Sequence, residues 1–322
     1  MARPKKNDSL LVAAVWALNL FGLGGIALVA AAYFLFFQPA AAAPQAAQFV
    51  TMTAPPTSTA AGVYYLPTVT PNPHTTKIVF NTPTPFVLGD GSLPRAVGYS
   101  AAGRPIEVYT FGRGRHQRMI VAGIHGGYEW NTIALADELI LHLYEHPELI
   151  PADVTLYVLR NLNPDGDARS HSYDGRVNER GVDLNRNFPT NWSATWKRDG
   201  CWDYAETSGG DAPGSEPETR AVMGFLQGHQ VEVLISYHSA ALGVFPGGEP
   251  WEQDSTAFAK ALAEATGYPF PPIQTGCKYT GTLADYAVEM GATAVDMELS
   301  THKYTDFKQN LKALNVLLHW TR

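Results

Sequence analysis

An α/β domain on a largely parallel sheet is the fold class the sequence predicts for residues 90–322. Three observations predict it. Apolar runs such as "RMIVAG" (from Arg118) and "VEVLISYH" (from Val231) are continuous, as in strands buried on both faces. Segments of helical periodicity separate them, so strand and helix alternate. Polar, chemistry-bearing residues gather where these strands end, which is where open parallel sheets hold their sites.

Three segments precede that domain. Residues 1–9 carry Arg3, Lys5 and Lys6. Residues 10–37 have no charge and would make a helix of about 42 Å, longer than the roughly 30 Å hydrocarbon core of a bilayer. The expectation is a single-pass membrane anchor, with the basic end cytoplasmic and the rest extracytoplasmic. The alternative is a secreted chain after signal cleavage. A signal has a shorter apolar stretch, although Ala40 to Ala43 supply small residues for it. Residues 38–89 hold nine prolines, ten threonines and one charge, Lys77, and read as a disordered Pro/Thr/Ala-rich tether.

Within the domain, "IEVYTFG" (from Ile106) alternates as a strand, and "RMIVAG" is the next. Asn131 to His146 read as a helix that Pro147 ends. "VTLYVL" (from Val154) is a strand. Ser215 heads a helix to Leu226, with Glu218 completing a capping-box pattern. "VEVLISYH" is a buried strand, Asp254 to Thr266 an amphipathic helix, "ATAVDMEL" (from Ala292) a strand, and Phe307 to Trp320 a final helix.

Composition narrows the function. The 322 residues carry a net charge of −7, which argues against a nucleic-acid partner. Two cysteines exclude a four-cysteine zinc or iron–sulfur site. In an extracytoplasmic domain, Cys201 and Cys277 are expected to form a disulfide.

Four clusters carry chemistry. "GIHGGYEWN" places His125 and Glu129 between a buried strand and a helix, with glycines at 123, 126 and 127 that allow unusual backbone angles. "DGRVNERGVDLNRNFP" packs Arg176, Arg180, Asn185 and Arg186 into one loop, and arginine's planar fork suits a carboxylate. His238 ends the strand "ISYHSA", and Glu298 lies near the end of "VDMELS". Two histidines and one glutamate make a three-ligand zinc set that leaves a fourth position open, the pattern of a catalytic site. Glu298 would then be the general base. A nearby arginine would stabilise the oxyanion.

These motifs resemble the zinc carboxypeptidase (funnelin) family. "VGYSAAGRPIEVYTFG" is similar to its domain-opening stretch, "GIHGGYEWN" to its first metal motif, "LNPDG" to a family turn and "GVDLNRNF" to its substrate-carboxylate motif. "SYHS" and "MELS" resemble its third-ligand and catalytic-glutamate strands. The resemblance implies a single catalytic domain on a mixed, mainly parallel eight-stranded sheet flanked by helices, with one Zn2+ per chain. His125, Glu129 and His238 would hold it, and Glu298 would activate a zinc-bound water. Asn185 and Arg186 would grip a terminal carboxylate, and Arg176 would polarise the scissile carbonyl, with Arg169 and Arg180 as its rivals. Tyr279 would cover the substrate and Ala284 would line the side-chain pocket, with Asp285 beside it packing structurally or meeting an amino group. The family usually leaves two residues between its first His and Glu; this chain has three.

The expected function is a membrane-anchored, monomeric metallocarboxypeptidase acting on C-terminal peptide bonds. Alternatives are an amidohydrolase acting on cell-wall peptides or N-acyl amino acids, and a non-catalytic binding module on a stalk. "HLYEH" (His142 to His146) matches another metallopeptidase pattern, but Pro147 ends its helix, and it is read as structural.

Overall fold

The computed structural model describes residues 94–195, 207–273 and 276–321. Its strands are β1 (Arg95–Tyr99), β2 (Pro105–Gly112), β3 (His116–Val121), β4 (Val154–Leu159), β5 (Val231–Ser239), β6 (Gly243–Pro246) and β7 (Thr293–Leu299). The helices are α1 (Trp130–Glu145), α2 (Pro164–Arg169), α3 (Pro217–Gly228), α4 (Gln253–Thr266), α5 (Leu283–Glu289) and α6 (Phe307–His319). The strands form one sheet in the order β1-β2-β4-β3-β5-β7-β6.

The sheet is less parallel than the sequence predicts, and has seven strands among the described residues where the resemblance implies eight. The central pairings β4/β3, β3/β5 and β5/β7 are parallel. The outer pairings β1/β2, β2/β4 and β6/β7 are antiparallel. Chain length explains the outer strands. A tight turn links β1 to β2, with the Ser100 amide donating to the Arg104 carbonyl at 2.8 Å. Residues 240–242 between β5 and β6 are too few for the crossover a parallel strand needs.

Both faces of the sheet are covered. On one, Leu135, Leu139 and Leu143 of α1 pack with Phe258 of α4, Leu317 of α6, and Val233, Ile235 and Tyr237 of β5. On the other, Val222 and Phe225 of α3 and Leu283 of α5 pack with Met119, Leu234 and Ala294. Side chains alternate between faces along a strand. His238, Asp296 and Glu298 therefore share the second face, at the C-terminal ends of β5 and β7. Each fully buried leucine contributes about 1.5–3 kcal/mol, so this core anchors the strand ends firmly.

One helix start differs from the sequence reading. Helix α3 begins at Pro217 with Glu216 at its N-cap, not Ser215. Proline lacks an amide hydrogen and its fixed φ suits the first helical position. The Ser215 hydroxyl donates to Glu216 at 2.8 Å, and Glu218 accepts from the Ala101 amide at 2.8 Å instead of closing a capping box. No helix among the described residues is long and apolar enough to cross a membrane. The anchor expected at residues 10–37, the tether at 38–89 and Cys201 lie outside the described residues. Cys277 is disulfide-bonded.

Candidate active site

The loop after β3 brings the first two candidate ligands together. A 3₁₀ turn, Gly126–Glu129, follows His125 and runs into α1. It absorbs the extra residue between His125 and Glu129, and His125 Nδ1 lies 2.7 Å from Glu129 Oε1. Gly126 has φ +48, and a Cβ at Gly127 would meet the Ser170 carbonyl oxygen at 2.1 Å. Gly127 thus serves the close packing of this turn against the loop after α2. Burial pushes the Glu129 carboxyl up, but His125 and His238 outweigh it and hold it below the usual range.

His238 arrives from the end of β5. Its Nδ1 is 3.3 Å from His125 Nδ1 and 3.2 Å from Glu129 Oε2. On its other side, Nε2 lies 3.1 Å from Ser236 Oγ and 3.4 Å from Asp296 Oδ1. His125 is arranged alike, with Nε2 3.1 Å from Asp183 Oδ1. Each ring therefore backs onto a carboxylate and turns Nδ1 inward, the arrangement that orients metal-ligating histidines. Burial disfavours the charged His238, but Asp296 and Glu129 outweigh it and hold its pKa well above the usual value.

This donor set suits a metal. Two ring nitrogens face each other beside a carboxylate, and all three residues are buried. Donors about 2.0–2.1 Å from a tetrahedral zinc lie roughly 3.3 Å from one another. The ligand atoms here all fall within 4.8 Å, and among the described residues this is the one such group.

A cavity of about 1310 Å³ opens over the group. Glu298 lines it from β7, and its Oε2 accepts from the Ala241 amide at 3.0 Å. Burial, the largest cause, pushes the Glu298 carboxyl up to about 7; Glu129 and Asp296 add to this against His238 and the Ala241 amide. Asn185 and Arg186 line the cavity from a 3₁₀ turn capped by Asp183, whose Oδ1 accepts from the Asn185 amide at 3.0 Å. The Arg186 guanidinium stacks 4.7 Å from the centre of the Tyr279 ring, and Ala284 lines the cavity from α5.

Of the three arginines weighed for the carbonyl, Arg176 lines the cavity. It pairs with Asp183 at 2.9 Å and lies 3.6 Å from Glu129. Arg169 is spent on the Asp174, Val177 and Asn178 carbonyls, and Arg180 is mostly exposed beside Glu216. Two carboxylates went unremarked in the sequence. Asp183 sits inside "GVDLNRNF", and Asp296 lies two residues before Glu298, hence on the same strand face. His302 also escaped notice; it lines the cavity and its Nδ1 lies 3.1 Å from Ser239 Oγ. In "HLYEH", His146 pairs with Glu148 at 3.2 Å, away from the cavity.

Residues 94–314 match the zinc carboxypeptidase family, peptidase M14. The chain belongs to that family. Its His125, Glu129 and His238 form a group able to hold a metal ion. Murein peptide amidase A of Escherichia coli strain K12 is 32% identical over 168 residues, 49% of this chain and 64% of that protein. A metallocarboxypeptidase A-like protein of Trichophyton verrucosum is 27% identical over 239 residues, 63% of this chain and 56% of that one. The chain thus spans less than two-thirds of the length of these curated relatives. The solved structure of murein-tripeptide amidase MpaA from Escherichia coli O157 superposes with a TM-score of 0.54 at 25% identity, covering 71% of this chain and 92% of that one.

Proposed function

We propose that this chain is a zinc metallopeptidase of the carboxypeptidase type, cutting the amide bond before the C-terminal residue of a peptide. One observation carries the reading: Asn185 and Arg186 face the same cavity as the metal-ligand group and Glu298. An amide donor and a guanidinium there can take both oxygens of a terminal carboxylate. When bound, zinc supplies Lewis acidity to a water and to a carbonyl oxygen. Glu298, with its carboxyl raised towards neutrality, takes a proton from the attacking water and passes it to the leaving nitrogen. Arg176 offers its charge to the carbonyl oxygen as negative charge develops there. The Tyr279 ring, stacked on Arg186, closes over the bound residue.

A second reading keeps the same residues and changes the substrate to a cell-wall peptide, and the likeness to murein peptide amidase favours it. Arg186→Met tests the shared core. KM for peptides with a free C-terminus should rise about tenfold or more. An unchanged KM would remove Arg186 from substrate capture. We further propose that residues 10–37 anchor this domain outside the cytoplasm. Membrane fractionation with protease accessibility of the domain checks this.

A further inference from the structure

The far end of α1 carries donor atoms that the cavity does not use. His142 lies in the last turn of the helix and His146 caps it, the His146 amide donating to the His142 carbonyl at 2.9 Å. Four residues apart, the two side chains stand on one side of the helix, one turn above the other. Their ring centres are 4.6 Å apart and the rings are tilted by 51°. Glu148 follows on the 3₁₀ turn Pro147–Leu149, and its Oε1 lies 3.2 Å from His146 Nδ1. A hydrogen bond from its own backbone amide, and after it His146 and His142, hold the Glu148 carboxyl below the usual range. Both rings therefore act on this one carboxylate.

The nitrogens are available to a ligand. Among the described residues the His142 ring makes no hydrogen bond and His146 uses only Nδ1. Phe307, at the start of α6, meets the His142 ring edge-on at 5.8 Å and holds it on one side. Neither histidine lines the cavity. Helix α1 rises about 25 Å between Glu129 and His146, so an ion here shares no ligand with the group of His125, Glu129 and His238.

This end of the helix also favours positive charge. The last carbonyls of α1 have no partner within the helix, and the negative end of its macrodipole lies here. Glu145 and Glu148 add two exposed carboxylates. Two imidazoles one turn apart form a chelate, in which the second nitrogen binds at high effective concentration. Imidazole nitrogens with a carboxylate oxygen suit Cu2+, which all such donor sets hold more tightly than zinc.

We propose that His142 and His146 chelate one Cu2+ at the end of α1, with Glu148 as a third donor. The ion clips the last turn of α1 to the 3₁₀ turn that follows it. This site is separate from the catalytic group and takes no part in peptide cleavage.

The test titrates the full-length, zinc-loaded chain with Cu2+ at a pH above the ordinary imidazole value of about 6.5. Copper and zinc content are followed by metal analysis, and the copper ligands by electron paramagnetic resonance. One copper per chain should bind while zinc is retained, with the spectral signature of two imidazole nitrogens. His146→Ala should weaken copper binding about tenfold or more and leave one imidazole nitrogen in the spectrum. His146 is half exposed, so this change leaves the packing intact, and retained zinc confirms the fold. His142→Ala should have the same effect on copper. Copper that enters only in exchange for zinc would overturn the proposal. So would copper affinity unchanged in either variant, or a spectrum without paired imidazole nitrogens in the parent chain.

Discussion

His238 and Glu298 are register partners on the neighbouring parallel strands β5 and β7, with their side chains on one face of the sheet. Strand pairing therefore sets the spacing between a metal ligand and the proposed base. Glu298→Gln preserves shape and the acceptor for the Ala241 amide but cannot carry the proton. We expect kcat to fall about 10²–10⁴-fold, with zinc content unchanged by metal analysis. Retention of full kcat would assign the proton transfer to another group.

The metal should stabilise the fold as well as serve catalysis. His125, Glu129 and His238 come from two separate regions of the chain, so an ion they share ties the first loop to β5. A ligand at a hundred times its Kd stabilises by about 2.7 kcal/mol. Chelation should lower the Tm by several degrees, and zinc should restore it. In His238→Ala the zinc-dependent shift should vanish. A Tm indifferent to chelator in the parent chain would contradict the assignment.

The Gly127 position is predicted by its surroundings to reject any side chain. A Cβ there would meet the Ser170 carbonyl oxygen at 2.1 Å. Gly127→Ala should cost about 2–3 kcal/mol and weaken zinc binding, since the same turn sets Glu129. Denaturant titration with a zinc-competition assay reads both; loss of neither would show that the turn relaxes freely.

Asp285 gives a pH-dependent prediction of opposite sign to the usual carboxylate. Its folded-state pKa is raised, by burial first, so the folded state binds the proton more tightly than the unfolded chain. Its contribution to stability is present below the unfolded value of about 3.9 and is lost as pH rises through the raised folded value. Asp285→Asn should therefore raise the Tm at neutral pH, and the gain should fade towards pH ~4. A lower Tm at neutral pH would mean that Asp285 is a structural asset and not a charge kept at the expense of stability.

Much of this was legible in the sequence because burial leaves a strong pattern. Continuous apolar runs located β3, β4, β5 and β7, and helical periodicity located α1, α4 and α6 within a residue or two. Short elements left no such trace. The four residues of β6 and the five of β1 are too short to show a period, and they make up the antiparallel edges that the sequence reading missed. At the site, His125, Glu129 and His238 stood out as ionisable groups at the ends of apolar segments. Asp183 and Asp296 did not, because their partners are histidines distant in sequence that only the fold brings near. Period-two spacing from Glu298 was the available signal for Asp296.

In the proposed reaction the metal group, Glu298 and the Asn185–Arg186 pair act together on a free C-terminus. The most direct measurement incubates the zinc-loaded, full-length chain with peptide pairs identical except for a free or amidated C-terminus, and reads products by mass spectrometry. Single C-terminal residues should leave the free peptides and none should leave the amidated ones. Cleavage of both at equal rates, or of neither by a zinc-replete protein, would contradict it.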